Sequence, residues 1–186
     1  MTTTSELPDV IDVLNRCEAL RNRLHQDPTS SAPLDQEELR DIDGLLNDFF
    51  SEEFPEYCLD GYVKPVSSEG WLRRLGIAGI YFPFSFQGHV DMSYTRTQVL
   101  FTAAHELSHA HVITDEGEAN LIAYLALSRS NNPEYQYAAE FTLFRYLLSS
   151  RKHKNLEIPE HIQADLAAIR ANYEAHPPFF SDLSSG

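Results

Sequence analysis

The segment FTAAHELSHAH at residues 101–111 places two histidines and a glutamate inside an otherwise apolar run. The apolar residues around them recur with the period of an α-helix, and Thr95 followed by Gln98 fits a capping box at its start. Residues four apart share one face of a helix, so His105 and His109 can present two imidazole nitrogens to a single ion. The sequence therefore predicts an apolar helix with a polar stripe that needs partners.

His105, Glu106 and His109 match the HExxH pattern, in which the glutamate acts as the base for a metal-bound water. The alternative is a buried helix that carries these polar groups without a metal. Burying a polar group without a partner costs on the order of 1–3 kcal/mol, which disfavours three idle groups on an apolar helix. We predict that His105 and His109 bind one Zn²⁺ per chain and that Glu106 is the catalytic base.

A catalytic zinc ion needs a third protein ligand and an open position for water. After His111, a β-branched run and an acidic segment starting at Asp115 predict a turn followed by a new helix. A helix that folds back can offer Glu118 to the metal, and an N-terminal helical position suits its charge. We favour Glu118 over the second candidate, Glu116. The competing interpretation of Glu118 is a capping box with Asp115 as N-cap.

Helical periodicity predicts further helices at about residues 7–24, 39–50, 116–129 and 137–149 and after Pro159. Ile80 to Phe86 is typical of a strand, and Pro83 makes it an edge strand because proline cannot donate to a ladder. Residues 89–94 could pair with it after a turn at Gly88. The predicted fold class is mainly α (α+β), with a small β-hairpin or edge strand beside the HExxH helix.

No repeat, linker or low-complexity tract divides the sequence, which predicts a single domain over residues 1–186 with a flexible tail from about residue 177.

The formal net charge of -14 disfavours nucleic acid as a partner. Cys17 and Cys58 show no CxxC spacing. Neither a signal sequence nor an apolar stretch long enough to span a membrane is found. The chain as given is expected to be soluble and cytoplasmic.

Residues 76–92, 101–127 and 130–148 together resemble an uncharacterised bacterial family of zincin-like proteins with a domain of unknown function. The resemblance implies a compact zincin-like helical domain whose third metal ligand is Glu118, in GEAN. Members of that family are usually membrane-anchored and carry transmembrane helices before this domain. The resemblance thus implies an extracytoplasmic location if the chain is an excised domain of an anchored parent.

The expected function is that of a zinc metallopeptidase that acts on a peptide or protein. Tyr124, Tyr135 and Tyr137 are candidates for contacts with the transition state or substrate, although each also suits a core or rim position. His111 faces another side of the helix and is expected at the surface. Two alternatives use the same ligands: a non-haem iron(II) oxygenase-type enzyme, or a non-catalytic metal-binding interaction module.

Overall fold

The computed structural model describes residues 8–57, 59, 61–66, 70–149 and 156–177. The helices are α1 (Val10–Arg21), α2 (Gln36–Glu53), α3 (Trp71–Arg74), α4 (Arg96–Ala110), α5 (Glu116–Arg129), α6 (Pro133–Ser149) and α7 (Glu160–Ala175). The strands are β1 (Tyr62–Pro65), β2 (Gly79–Phe82) and β3 (Gln87–Val90), and a 3₁₀ turn spans Pro55–Tyr57. Within these ranges, no helix combines the length and apolarity needed to cross a bilayer.

The prediction of a mainly helical α+β fold is confirmed. At the start of α4, the Gln98 side chain accepts a hydrogen bond from the backbone N–H of Thr95. At the start of α5, the Asp115 carboxylate accepts one from the N–H of Glu118 at 3.0 Å. Local capping signals therefore set both helix starts. The single-domain organisation stays a prediction, and the predicted tail beyond residue 177 lies outside the described residues.

The small sheet has β3 at its centre, with β1 parallel on one side and β2 antiparallel on the other. β2 is the edge strand that the sequence predicted, but it ends at Phe82 and not at Phe86. Pro83 starts a turn that a hydrogen bond to the Phe82 carbonyl closes, because its fixed φ suits that position. Gly88, predicted as the turn, lies inside β3 opposite Tyr81.

α4 packs between the sheet and helices α2, α5 and α6 within the main core, and α1 and α7 form a second core against α6. Leu100, Ala104 and Leu107 of α4 are almost fully buried. At its first residue, the buried Arg96 forms ion pairs with Glu38 of α2 and Glu134 of α6. The HExxH motif thus projects from a helix that is fixed on several sides, which favours a well-defined site.

Asp43 of α2 holds the edge strand β1 by accepting a hydrogen bond from the Val63 N–H at 3.3 Å. Burial raises the pKa of Asp43 to about 6, although the Val63 hydrogen bond opposes this. The folded chain therefore binds more protons than the unfolded chain between pH 3.8 and about 6, and the contribution of Asp43 to stability falls as pH rises through that range.

We expect Asp43→Asn to raise the free energy of unfolding by about 1 kcal/mol near pH 7.5, after discounting for the partial exposure of the carboxyl. The amide keeps an acceptor for Val63 but carries no charge. At about pH 4.5 the gain should shrink to less than half, because the wild-type carboxyl is then mostly protonated in the folded state. Urea unfolding at both pH values measures the difference. An equal gain at both would show that charge is not its cause.

Candidate metal centre

The two histidines of the motif lie one turn apart on α4 and point into one cleft. The Nε2 atoms of His105 and His109 are 3.1 Å apart, and the rings meet edge-on with centroids separated by 4.7 Å. Both rings line an open cleft of about 910 Å³. This is the juxtaposition that their spacing of four residues predicts.

The chain after α4 reverses through a Schellman turn. The N–H of Val112 donates to the carbonyl of His109 at 3.0 Å, and the N–H of Ile113 donates to that of Ser108 at 3.4 Å. The chain then leads to Asp115, whose backbone is extended and which caps α5. The first turn of α5 is thereby placed beside the histidine face of α4.

Glu116 is the carboxylate that reaches the histidines. Its Oε2 lies 3.1 Å from His105 Nε2, and its Oε1 lies 3.6 Å from His109 Nε2. The candidate ligand atoms of the three residues all lie within 4.8 Å of one another. The Glu116 side chain is 78% exposed, so the third corner of the group lies at the mouth of the cleft.

Glu118, the ligand favoured from the sequence and from the resemblance, lies outside this group. Its N–H donates to the Asp115 carboxylate at 3.0 Å, and its side chain is exposed. Two residues along a helix, the direction of a side chain has turned by about 200°, so Glu116 and Glu118 point to nearly opposite sides of α5. Glu118 is therefore the residue whose N–H donates to the Asp115 cap, and Glu116, the second candidate, faces the histidines.

Each imidazole is oriented by a hydrogen bond from its other nitrogen. His109 Nδ1 donates to the carbonyl of Ile113 at 2.6 Å, and His105 Nδ1 donates to Asn120 Oδ1 at 3.0 Å. In the neutral form of each ring, a proton on Nδ1 leaves Nε2 as an acceptor. Asn120 lies one turn after Glu116, so α5 supplies both the carboxylate and the amide. Partners of this kind fix ligand tautomers in metal sites.

With both rings neutral, the three converging atoms are all acceptors. Burial, and then His109, lowers the pKa of His105, which favours its neutral form. Lone pairs and a carboxylate 3.1–3.6 Å apart repel one another unless a cation lies between them. Tetrahedral zinc, with bonds of about 2.0–2.1 Å, keeps its ligands about 3.3–3.4 Å apart, within this range. Two imidazoles and a carboxylate at these separations fit a divalent metal ion such as zinc.

Glu106 is held between α4 and two glycines of the sheet. It is only 6% exposed, and a Cβ at Gly79 would lie 2.5 Å from its Oε1. A Cβ at Gly88 would lie 2.9 Å from the Cβ of Glu106. Burial, and secondly the Glu116 carboxylate, raises the pKa of Glu106 to about 7. A carboxyl of this pKa can both take and return a proton near neutral pH.

The free edge of β2 forms one wall of the cleft. The N–H of Asp91 donates to the carbonyl of Ala78 at 2.9 Å, and hydrogen-bonded pairs alternate along an antiparallel ladder. This alternation directs the N–H and C=O groups of Gly79 and Tyr81 away from β3, towards the open edge. The cleft therefore offers backbone donors and acceptors beside the histidines.

The model of a sequence family described as "Protein of unknown function (DUF3810)" matches residues 2–185. The chain belongs to the DUF3810 family. Neither a curated protein nor a solved structure matches it. Because the match spans nearly the whole sequence, the histidines, Glu116 and the sheet all lie within the DUF3810 region.

The three tyrosines proposed as substrate contacts lie away from the cleft of this DUF3810 protein. The hydroxyl groups of Tyr124 and Tyr137 donate to the carboxylates of Glu140 and Asp165, at 3.1 and 2.6 Å. The Tyr135 hydroxyl donates to a backbone carbonyl of α2 at 3.5 Å. All three pack between helices, where buried hydroxyls need protein partners.

His111, expected at the surface, is fully buried. Its ring stacks on Phe50 with centroids 3.9 Å apart, and its Nδ1 accepts a hydrogen bond from the Leu59 N–H at 3.1 Å. Tyr57, Leu59 and Gly61, which precede β1, lie beside the end of α4. The role of His111 in the structure is packing, and it lies outside the candidate ligand group.

Sequence reasoning missed two residues of the site. Asn120 orients His105, and its position four residues after Glu116 was the signal that both face the same way. Tyr81 lines the cleft, and its ring stacks near His109 with centroids 6.4 Å apart. Nothing local in the sequence distinguishes Tyr81 from other strand aromatics.

Asn120→Ala is expected to weaken zinc binding by about 10- to 100-fold, because His105 loses the acceptor that fixes its tautomer. Asn120→Asp keeps an acceptor oxygen at this position and should retain most of the affinity. Competition with a chromophoric zinc chelator measures both. Equal affinities for wild type and Asn120→Ala would show that the amide does not support the site.

Proposed function

We propose that this DUF3810 protein is a zinc-dependent hydrolase, and specifically a metallopeptidase that uses Glu106 as its general base. The observation that carries the proposal is the convergence of three acceptor atoms, from His105, His109 and Glu116, next to a buried carboxyl in an open cleft. Structural zinc sites usually use all four positions for protein ligands, commonly cysteines. Three protein ligands at a cleft are typical of a catalytic site.

The roles of the side chains follow from their positions. Zinc held by the three ligands would supply an acidified water and would polarise a substrate carbonyl. Glu106 takes the proton of that water, since burial has raised the pKa of its carboxyl to about 7. The same carboxyl then returns the proton to the leaving amine. Asn120 and the Ile113 carbonyl keep both imidazoles in the tautomer that binds metal.

The free edge of β2 supports a peptide as the substrate. An extended peptide can pair with the outward N–H and C=O groups of Gly79 and Tyr81, as in strand addition elsewhere. The pairing must be short, because the strand ends at Phe82 and Pro83 starts the turn. A short edge beside the histidines suits a few substrate residues on one side of the scissile bond.

The proposal is tested with the protein purified without added metal. Elemental analysis should find about one zinc per chain, and a pool of short synthetic peptides followed by mass spectrometry should reveal cleavage. Removal of zinc with a chelator should abolish the cleavage, and zinc should restore it. His109→Ala should retain neither metal nor activity.

Two rivals give different results in the same experiment. Bound iron with oxygen-dependent turnover would indicate a non-haem iron(II) enzyme, because two histidines and a carboxylate also suit that ion. Bound zinc without cleavage of any peptide would favour a metal-binding interaction module. Absence of metal from the wild-type protein, even after zinc is added, would overturn the metal site itself.

A further inference from the structure

Two bulky residues lining the cleft adopt a left-handed backbone conformation. Phe86, at the end of the loop between β2 and β3, has a φ of 53°, and Val112, just after α4, has a φ of 68°. Among the residues that the structure describes, no other non-glycine residue has a positive φ. Glycine or asparagine is usual at such hairpin and helix C-terminal positions, and a β-branched residue there is a strong outlier.

Burial does not compensate for this strain. Phe86 is 47% exposed and Val112 is 56% exposed. Phe84, at the tip of the same loop, is fully exposed. Glycine at positions 86 and 112 would relieve the backbone and remove apolar surface from water. Strain kept at exposed residues that line a cleft indicates that the side chains serve recognition.

The backbone beside these side chains identifies the occupant. The open edge of β2, with outward polar groups at Gly79 and Tyr81, leads directly into the loop that ends at Phe86. A strand paired there turns alternate side chains towards the cleft. The net charge of -14 repels anionic lipids and disfavours acidic peptides. An extended peptide that carries an uncharged, apolar residue could pair with the edge of β2 and would not be repelled by the negative charge of the chain.

We propose that Phe86 and Val112 form an apolar lip that selects one large aliphatic or aromatic side chain of a peptide lying along β2. This proposal adds a substrate preference to the proposed peptidase function, and it rests on that function for the identity of the substrate. It assigns substrate preference to two residues outside the ligand set. The preference is expected at one position of the peptide only.

The test uses a pooled octapeptide library captured on immobilised, zinc-loaded Glu106→Gln protein, so that binding is measured apart from cleavage. Leu, Ile, Phe or Met should be enriched over Ala by at least about 10-fold at one position. In Val112→Gly and Phe86→Gly the enrichment should fall to about 2-fold or less, with an equal or higher thermal unfolding midpoint. The matched control is Phe82→Thr: Phe82 is 46% exposed on the same hairpin but does not line the cleft. Its enrichment should equal that of the parent.

The other outcomes separate the lip from the peptidase. Enrichment that survives both glycine variants, or no enrichment at all, overturns the lip whether or not the wild-type protein cleaves peptides. Enrichment that depends on the lip in a protein that cleaves nothing supports the lip and overturns the peptidase proposal. If the glycine variants instead lose binding to uncharged phosphatidylcholine vesicles, with peptide capture unchanged, a membrane replaces the peptide as the occupant.

Discussion

Glu116→Ala is expected to remove zinc from the protein, whereas Glu118→Ala should keep about one zinc per chain. Glu116 provides the carboxylate within 3.1 and 3.6 Å of the two histidine Nε2 atoms. Loss of a ligand should exceed the about 10- to 100-fold loss of affinity that follows removal of an outer partner. Elemental analysis after dialysis, with zinc competition titrations on both variants, measures the difference.

The two variants are matched in an informative way. Each removes one exposed carboxylate from the first turn of α5, so each changes the net charge and the helix-dipole interaction alike. A difference in zinc content between the two variants therefore shows which carboxylate coordinates the metal. If Glu118→Ala loses zinc and Glu116→Ala keeps it, α5 must rotate when metal binds, and the sequence-based choice of Glu118 would be restored.

The sequence predicted the helices well because their signals are local. The predicted helix from about residue 116 to 129 coincides with α5, and the capping pair Thr95 and Gln98 sets the start of α4. The strand was less accurate. The apolar run from Ile80 extended the predicted strand to Phe86, whereas Pro83 pre-organises a turn that ends pairing at Phe82.

The histidine pair was predictable because i, i+4 geometry is fixed within one helix. The carboxylate that faces the histidines was not, because it depends on how α5 is rotated relative to α4. Spacing shows only that Glu116 and Glu118 point in different directions, and a Schellman turn with valine at the left-handed position sets which one faces inward. The one-turn spacing of Glu116 and Asn120 indicates only that these two residues share a face of α5.

The tyrosines and His111 illustrate a second limit. Proximity in sequence to the motif made the tyrosines candidates and helical spacing predicted an exposed His111, but tertiary packing decides which polar groups reach the cleft. Tyr124 and Tyr137 satisfy buried carboxylates between helices, and His111 packs on Phe50. Tyr81 reaches the cleft from a strand more than twenty residues before the motif. Contacts of this range leave no local signal.

Glu106→Gln is expected to lower kcat by about 10²- to 10⁴-fold while zinc content stays unchanged. The amide has the shape of the carboxyl but cannot accept a proton from water. Because Glu106 is only 6% exposed, loss of its charge should leave the unfolding midpoint equal or higher. Initial rates on a cleaved peptide, zinc analysis and thermal unfolding test these three statements. A variant with full activity would show that the base lies elsewhere.

Gly79→Ala is expected to displace the Glu106 carboxyl without changing its chemical group. It therefore tests whether the position of this carboxyl matters for activity. The added Cβ would lie 2.5–2.8 Å from Oε1, Cγ and Cδ of Glu106, so the side chain must move while the metal ligands stay in place. Activity should fall with zinc retained, and overpacking should cost about 1–3 kcal/mol of stability. Glu106→Ala removes the atoms that clash, so adding Gly79→Ala to that variant should cost much less. A double-mutant cycle from urea unfolding measures this coupling. Additive costs would mean that Gly79 does not hold the Glu106 carboxyl in place.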